Sequence, residues 1–207
     1  MKNFITIIIL FASINLLKSQ TNTVKTALIL IDIQNDYFKD GKMELCIPEV
    51  TAQNAKRVLE KFRHEKLPII HVKHESTRPG ASFFAPGTKG SEIHALVSPI
   101  EDEKVVIKNY PNSFRETELL GYLKDKEIDR LVIVGMMSHM CVDATTRAAK
   151  DYGFECAVIE DACTTKDLEI NGKTVYAEDV HNAFMAALDY YYSDVFTTEV
   201  FLKGWGK

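Results

Sequence analysis

The sequence predicts a three-layer α/β fold, a parallel sheet with helices on both faces. Three observations lead there. Short, wholly apolar runs such as Ala27–Ile31 read as strands buried on both sides. Between them lie segments with apolar residues at threes and fours, the spacing of amphipathic helices. Strand and helix alternate along most of the chain, which calls for right-handed crossovers and a parallel sheet.

Taken in order, Ala27–Ile31 is the first strand. A helix follows from Pro48 to Glu65, with Val50, Ala55, Val58, Leu59 and Phe62 on its apolar face. Leu67–Val72 and Lys104–Ile107 are the second and third strands. Ser113 and Glu116, three apart, read as a capping box for a helix over Glu116–Lys126. Leu131–Val134 is a strand ended by Gly135, and Cys141–Tyr152 is a helix stopped by Gly153. Cys156–Ile159 is a fifth strand, Val175–Tyr191 a helix and Val195–Val200 a last strand. Residues 74–103 form the one long irregular stretch, and loops of that length in compact domains usually carry function.

With 207 residues, 46% hydrophobic, the chain has the material for one domain with a sizeable core. A net charge of −4 and no basic stripe argue against nucleic acid and leave a small molecule as the partner. Residues 1–20 have a different logic. Lys2, the apolar stretch Phe4–Leu17 and polar Lys18–Thr21 read as a secretory signal peptide. That stretch is shorter than the roughly 20 residues a membrane span needs, so no stable anchor is expected. The domain is then residues 21–207, exported to the periplasm or outside. Four cysteines, Cys46, Cys141, Cys156 and Cys163, fit no CxxC pair, and their spacing leaves disulfides undecided. Cys156 reads as a buried strand residue.

In parallel sheets ligands bind at the carboxyl ends of the strands. There stand Asp32 after the first strand, Lys108 after the third, and Cys141 in GMMSHMC after the fourth. A thiol reacts as its thiolate. With Ser138 as N-cap, the helix opening at Cys141 would favour that anion, and Lys108 would favour it further. Asp32 could take the thiol proton and return it to a leaving amine. Singly, each has a plainer reading: an acid as a cap or ion-pair member, a cysteine as packing. Their convergence carries the argument.

The segments ALILIDIQNDYF, VVIKNYPNSF, LVIVGMMSHMCVDATTRAAKDYGF and VIEDACTT resemble the isochorismatase-like cysteine hydrolases over residues 26 to about 200. The resemblance implies a six-stranded Rossmann-like sheet and a homodimer or homotetramer. It assigns the proton shuttle to Asp32, thiolate support to Lys108 and the nucleophile to Cys141. It also implies a cis peptide at Met136–Met137 and an oxyanion hole from the N–H groups of Met137 and Cys141. Two departures narrow the subgroup. HVKHESTRPGASFF lacks the Asp-x-His element that nicotinamidases use for metal, and His71 and His74 are three apart, on opposite faces of a strand. No metal or other cofactor is expected, and the two histidines fit core or pocket-wall roles. True isochorismatases usually lack the cysteine, so Cys141 favours acyl transfer. HxSxxPG, PNSF and GMMSHMC resemble a subgroup with streptothricin hydrolases.

The implied activity is hydrolysis of a small amide or lactam C–N bond through an acyl-enzyme on Cys141. Alternatives are isochorismatase-type hydrolysis of another small substrate, a non-catalytic binding protein of this fold, and a redox protein pairing Cys141 with Cys163. Phe83, Phe84, Asn112 and Ser113 are candidates for the substrate pocket, although capping alone explains Ser113. His139 is a rival base, and Cys163 borders the site.

Overall fold

The computed structural model describes residues 24–204, so the expected signal peptide lies outside the described residues. The main sheet contains β1 (Thr26–Ile31), β2 (Ile69–His74), β3 (Lys104–Lys108), β4 (Arg130–Met136), β5 (Glu155–Thr164) and β8 (Asp194–Phe196). It has the order β3-β2-β1-β4-β5-β8, with every pairing parallel. Strand order therefore reverses beside β1, and the ends of β1 and β4 open a crevice there.

Alternation along β1 builds the layers. Ala27, Ile29 and Ile31 pack with α2 (Leu119–Asp125), α3 (Asp143–Asp151) and α4 (Ala177–Asp189) through Leu119, Leu123, Ala149, Met185 and Leu188. Leu28 and Leu30 pack on the other face with α1 (Pro48–Glu65) and α5 (Thr198–Gly204) through Ala55, Leu59, Phe62 and Phe201. A β1 buried on both faces has no polar side to show, hence its continuous apolar run.

Several local expectations are corrected. Ser113 caps nothing: its buried hydroxyl pairs with Thr145 Oγ1 at 2.8 Å, and Glu116 lies at φ 56°, outside any helix. Helix α2 starts at Leu119, where Thr117 Oγ1 accepts the Leu119 N–H. The expected strand Val195–Val200 is the short β8 followed by α5. Val175 belongs to a small hairpin, β6 (Leu168–Ile170) with β7 (Lys173–Val175), rather than to α4. Strands as short as these carry too little alternation to be read from sequence.

Candidate active site

Asp32 follows β1 directly. Its N–H donates to Val72 O at 3.0 Å, and its backbone takes φ 51° in the left-handed region. Aspartate tolerates that region better than most residues, and such outliers gather at functional sites. Lys108 ends β3, pairs in register with His74, and is buried. Cys141 lies in a single π-turn, Ser138–Val142, between β4 and α3. The turn is marked by the Val142 N–H reaching back five residues to Met137 O at 3.2 Å, and such turns recur at functional sites. The Met136–Met137 peptide is cis, as the resemblance implies.

Gly135 is required by space. A Cβ there would stand 2.1 Å from Ile31 O, and its φ is 138°. Across from it β5 slips ahead: Ile133 pairs with Val158, but Gly135 pairs with Cys163. This irregularity lies where the chain leaves the sheet toward the nucleophile.

The trio meets around one ammonium. Lys108 Nζ stands 2.7 Å from Asp32 Oδ2, 3.0 Å from His74 Nδ1, 3.1 Å from Tyr110 O and 3.3 Å from Cys141 Sγ. Both charged side chains of the Asp32–Lys108 pair have 0% exposure. The two form a close buried ion pair, and no backbone N–H of the described residues reaches either Asp32 carboxylate oxygen. Lone pairs thus remain on a buried carboxylate beside the thiol.

Protonation follows from burial and charge. Burial would pull the Lys108 pKa down, but Asp32 and Cys141 together raise it, so the ammonium form holds. Burial pushes the Cys141 thiol well above its ordinary range, Asp32 adds to the rise, and Lys108 offsets only part of it. Lys108 lowers the thiol pKa as expected, but burial and Asp32 outweigh it and the net shift is upward. Ser138 is not an N-cap; its hydroxyl pairs with His181 Nδ1 at 2.8 Å. A thiol raised in this way needs a base to take its proton.

His74 is the residue undervalued by the sequence. An ammonium has only donors, so His74 Nδ1 accepts and the neutral ring carries its proton on Nε2. Burial keeps that ring neutral by lowering its pKa. Gln34 fixes its backbone on both sides, accepting the His74 N–H at 2.7 Å and donating to His74 O at 2.9 Å. One donor atom each from Asp32, His74 and Cys141 lies within 4.8 Å of the others, a spacing that would suit a metal. The Lys108 ammonium already stands among them, and a dication there would meet a buried positive charge. The donor set therefore fits Lys108 and not a metal.

A cavity of about 320 Å³ opens on Cys141, bordered by Tyr37, His74, Phe83, Tyr110 and Met137. Phe84, Asn112, Ser113 and His139 lie outside its lining. Phe84 is buried against Tyr37 with ring centroids 4.6 Å apart. Asn112 Oδ1 accepts the Phe114 N–H at 2.9 Å. His139 pairs with Thr165 Oγ1 and leans on Phe184, so a role as rival base loses its geometry. Asn109, Tyr110 and Pro111 take the places expected of Asn112 and Ser113, a shift of two or three residues that the sequence could not resolve. All four cysteines are free thiols, and Cys163 is buried in the core, its pKa pushed up to about 12 by burial. A larger cavity, about 860 Å³, lies at the amino end of the strands among Thr26, Leu67, Pro68 and Arg130, far from Cys141 and with no thiol in its lining.

Fold and site together define a three-layer parallel α/β protein with a buried acid–lysine–thiol centre. The chain belongs to the isochorismatase family: the family's domain model matches residues 26–200. YddQ of Bacillus subtilis (strain 168), an uncharacterized isochorismatase family protein, is 53% identical over 86% of this chain and 99% of its own length. A streptothricin hydrolase of Streptomyces noursei is 30% identical over 69% of this chain and 50% of its own. A crystal structure from Oleispira antarctica, assigned as an isochorismatase hydrolase, superposes with a TM-score of 0.85 at 50% identity, covering 89% of this chain and 99% of that one. The protein is an isochorismatase-family hydrolase.

Proposed function

We propose that the protein hydrolyses a small amide or lactam C–N bond through an acyl-enzyme on Cys141. The observation that carries this reading is the buried Lys108 ammonium, held between Asp32 at 2.7 Å and the Cys141 sulfur at 3.3 Å. As the sulfur attacks the carbonyl carbon, its proton passes to Asp32, and the buried Lys108 ammonium balances the charge. The N–H groups of Met137 and Cys141 are the proposed donors to the tetrahedral oxyanion. Collapse breaks the C–N bond, and Asp32 returns the proton to the departing amine. Asp32 then takes a proton from water as that water attacks the thioester, and the acid leaves with the thiol restored.

Support comes from the intact acid–lysine–thiol set, and from relatives described as streptothricin hydrolase and nicotinamidase. Intact-mass spectrometry of the protein with a mixed library of small amides tests it. An acyl increment on Cys141 with release of amine is expected; neither increment nor release would overturn the reading. Two proposals accompany it. Export through residues 1–20 is in keeping with a relative described as a secreted effector of Verticillium dahliae, and cell fractionation checks it. A homodimer or homotetramer is checked by light scattering on the eluting protein.

A further inference from the structure

We propose that Arg78 selects the substrate, and that the amide it recognises also carries a carboxylate. This inference rests on the proposed hydrolase reading of the same cavity and narrows its substrate class.

Arg78 borders the cavity that opens on Cys141. It is the one side chain of that lining with a formal charge, because His74 is neutral and the other members are aromatic, hydroxyl, amide, thioether, thiol or proline groups. No carboxylate among the described residues pairs with Arg78, and the acid nearest in sequence, Glu75, is engaged by Lys73 at 2.8 Å. Deeper in the site, the charges of Asp32 and Lys108 offset one another. The cavity therefore offers an incoming ligand one uncompensated cation.

The arginine is also mounted on a firm base. Arg78-Pro79-Gly80-Ala81 is a β-turn closed by the Ala81 N–H to Arg78 O bond at 3.1 Å. Pro79 sets its own φ, and Gly80 supplies the φ of 77° that a type II turn needs at that place. The loop bearing this turn is tied at its base, where the Ser76 N–H donates to Phe84 O at 2.9 Å. Phe84 is tied in turn, its N–H donating to Asp36 Oδ2 at 2.6 Å. A guanidinium offers a planar fork that matches a carboxylate, and a fixed backbone lowers the entropic cost of using it. Tyr37, Phe83 and Tyr110 line the same cavity and offer ring surface for the short body of such a ligand. The picture is a small acid whose carboxylate meets Arg78 while its amide carbon reaches the thiol.

Two alkylating reagents of nearly one shape, iodoacetate and iodoacetamide, test this whatever the natural substrate is. Their rates at Cys141 are read by peptide mass mapping, which separates it from exposed Cys46. Arg78→Gln should lower the iodoacetate-to-iodoacetamide rate ratio about fivefold, the scale of one partly exposed ion pair. The iodoacetamide rate should stay within about twofold, and Arg78→Lys should keep most of the preference. An unchanged ratio in Arg78→Gln overturns the proposal. Should the buried thiol resist both reagents, saturation-transfer NMR with phenylacetate and phenylacetamide decides: only phenylacetate binding should weaken in Arg78→Gln, and equal weakening or none overturns it. An Arg78-dependent ratio with no amide turned over would sink the hydrolase reading and leave anion recognition standing. Neutral amides turned over as well as anionic ones, with no effect of Arg78→Gln, would do the reverse.

Discussion

Two buried carboxylates stand at opposite ends of the β3-β2-β1 half of the sheet, Glu103 just before β3 and Asp32 just after β1, and the two are treated differently. At the amino end, Glu103 receives Arg63 Nε at 2.7 Å and Nη2 at 2.8 Å, His71 Nε2 at 2.8 Å, and the Ile100 N–H at 3.0 Å. At the carboxyl end, Asp32 has one ammonium at 2.7 Å and no backbone N–H on its carboxylate among the described residues. Burial would raise the Glu103 pKa, but Arg63, the Ile100 N–H and His71 outweigh it and hold it at about 2. Saturated with donors, Glu103 has no reason to take a proton near neutrality and serves as a structural tie. Asp32, beside the Cys141 sulfur and with fewer donors around it, keeps acceptor sites open toward the thiol. The contrast teaches that a buried acid is read by the completeness of its hydrogen bonding, and not by its burial.

The comparison breaks or sharpens under substitution. The largest effect belongs to Cys141→Ala, which should lower turnover at least about a thousandfold while the thermal midpoint barely moves. Activity above a thousandth of wild type would name another nucleophile. Asp32→Asn should cost nearly as much turnover, since an amide cannot accept the proton. Yet the same change should let iodoacetamide label Cys141 at lower pH, because Asp32 helps raise the thiol pKa. Labelling that moves to higher pH would contradict the charge order described for the site.

Glu103→Gln should do the opposite, leaving turnover within about twofold and costing stability. A carboxyl depressed from 4.5 to about 2 stabilises the fold above its unfolded pKa, and that stabilisation is lost as pH falls through the folded one. Allowing for solvent screening around partly exposed Arg63, the loss should be about 1–2 kcal/mol near pH 7. It should shrink between about pH 4.5 and 2, and denaturant melts across that window check it. Should turnover fall instead with stability intact, the assignment of Glu103 as a structural tie fails. The smallest effect is expected of EDTA, which should leave activity unchanged, because Lys108 fills the position a metal would need. Loss on dialysis with recovery on adding zinc, iron or manganese would count against that.

The difference between the two ends also marks what is legible from the chain alone. The grouping of Asp32, Lys108 and Cys141 is legible because the first follows β1, the second closes β3 and the third lies in the turn after β4, and parallel strands deliver their ends to one edge. The cis peptide at Met136–Met137 is implied by the resemblance alone. His74 reads from the sequence only as core or pocket wall, since its place beside Lys108 depends on the β2–β3 register, which no local pattern encodes. The pocket wall beyond the trio falls two or three residues earlier than the sequence suggests, at Asn109 and Tyr110 instead of Asn112 and Ser113.

By itself, then, the sequence determined the layered α/β class, the gathering of Asp32, Lys108 and Cys141 at one sheet edge, and the long irregular stretch 74–103, all of which rest on periodicity and order along the chain. Only the tertiary structure decided that burial and Asp32 raise the thiol pKa, that His74 Nδ1 faces the Lys108 ammonium, and that Glu103 gathers donors from three parts of the chain while Asp32 has one ammonium. These properties depend on burial and on distances between atoms from different strands. Desolvation and Coulomb interactions act through space, and the order of residues in a chain does not contain them until the sheet has formed.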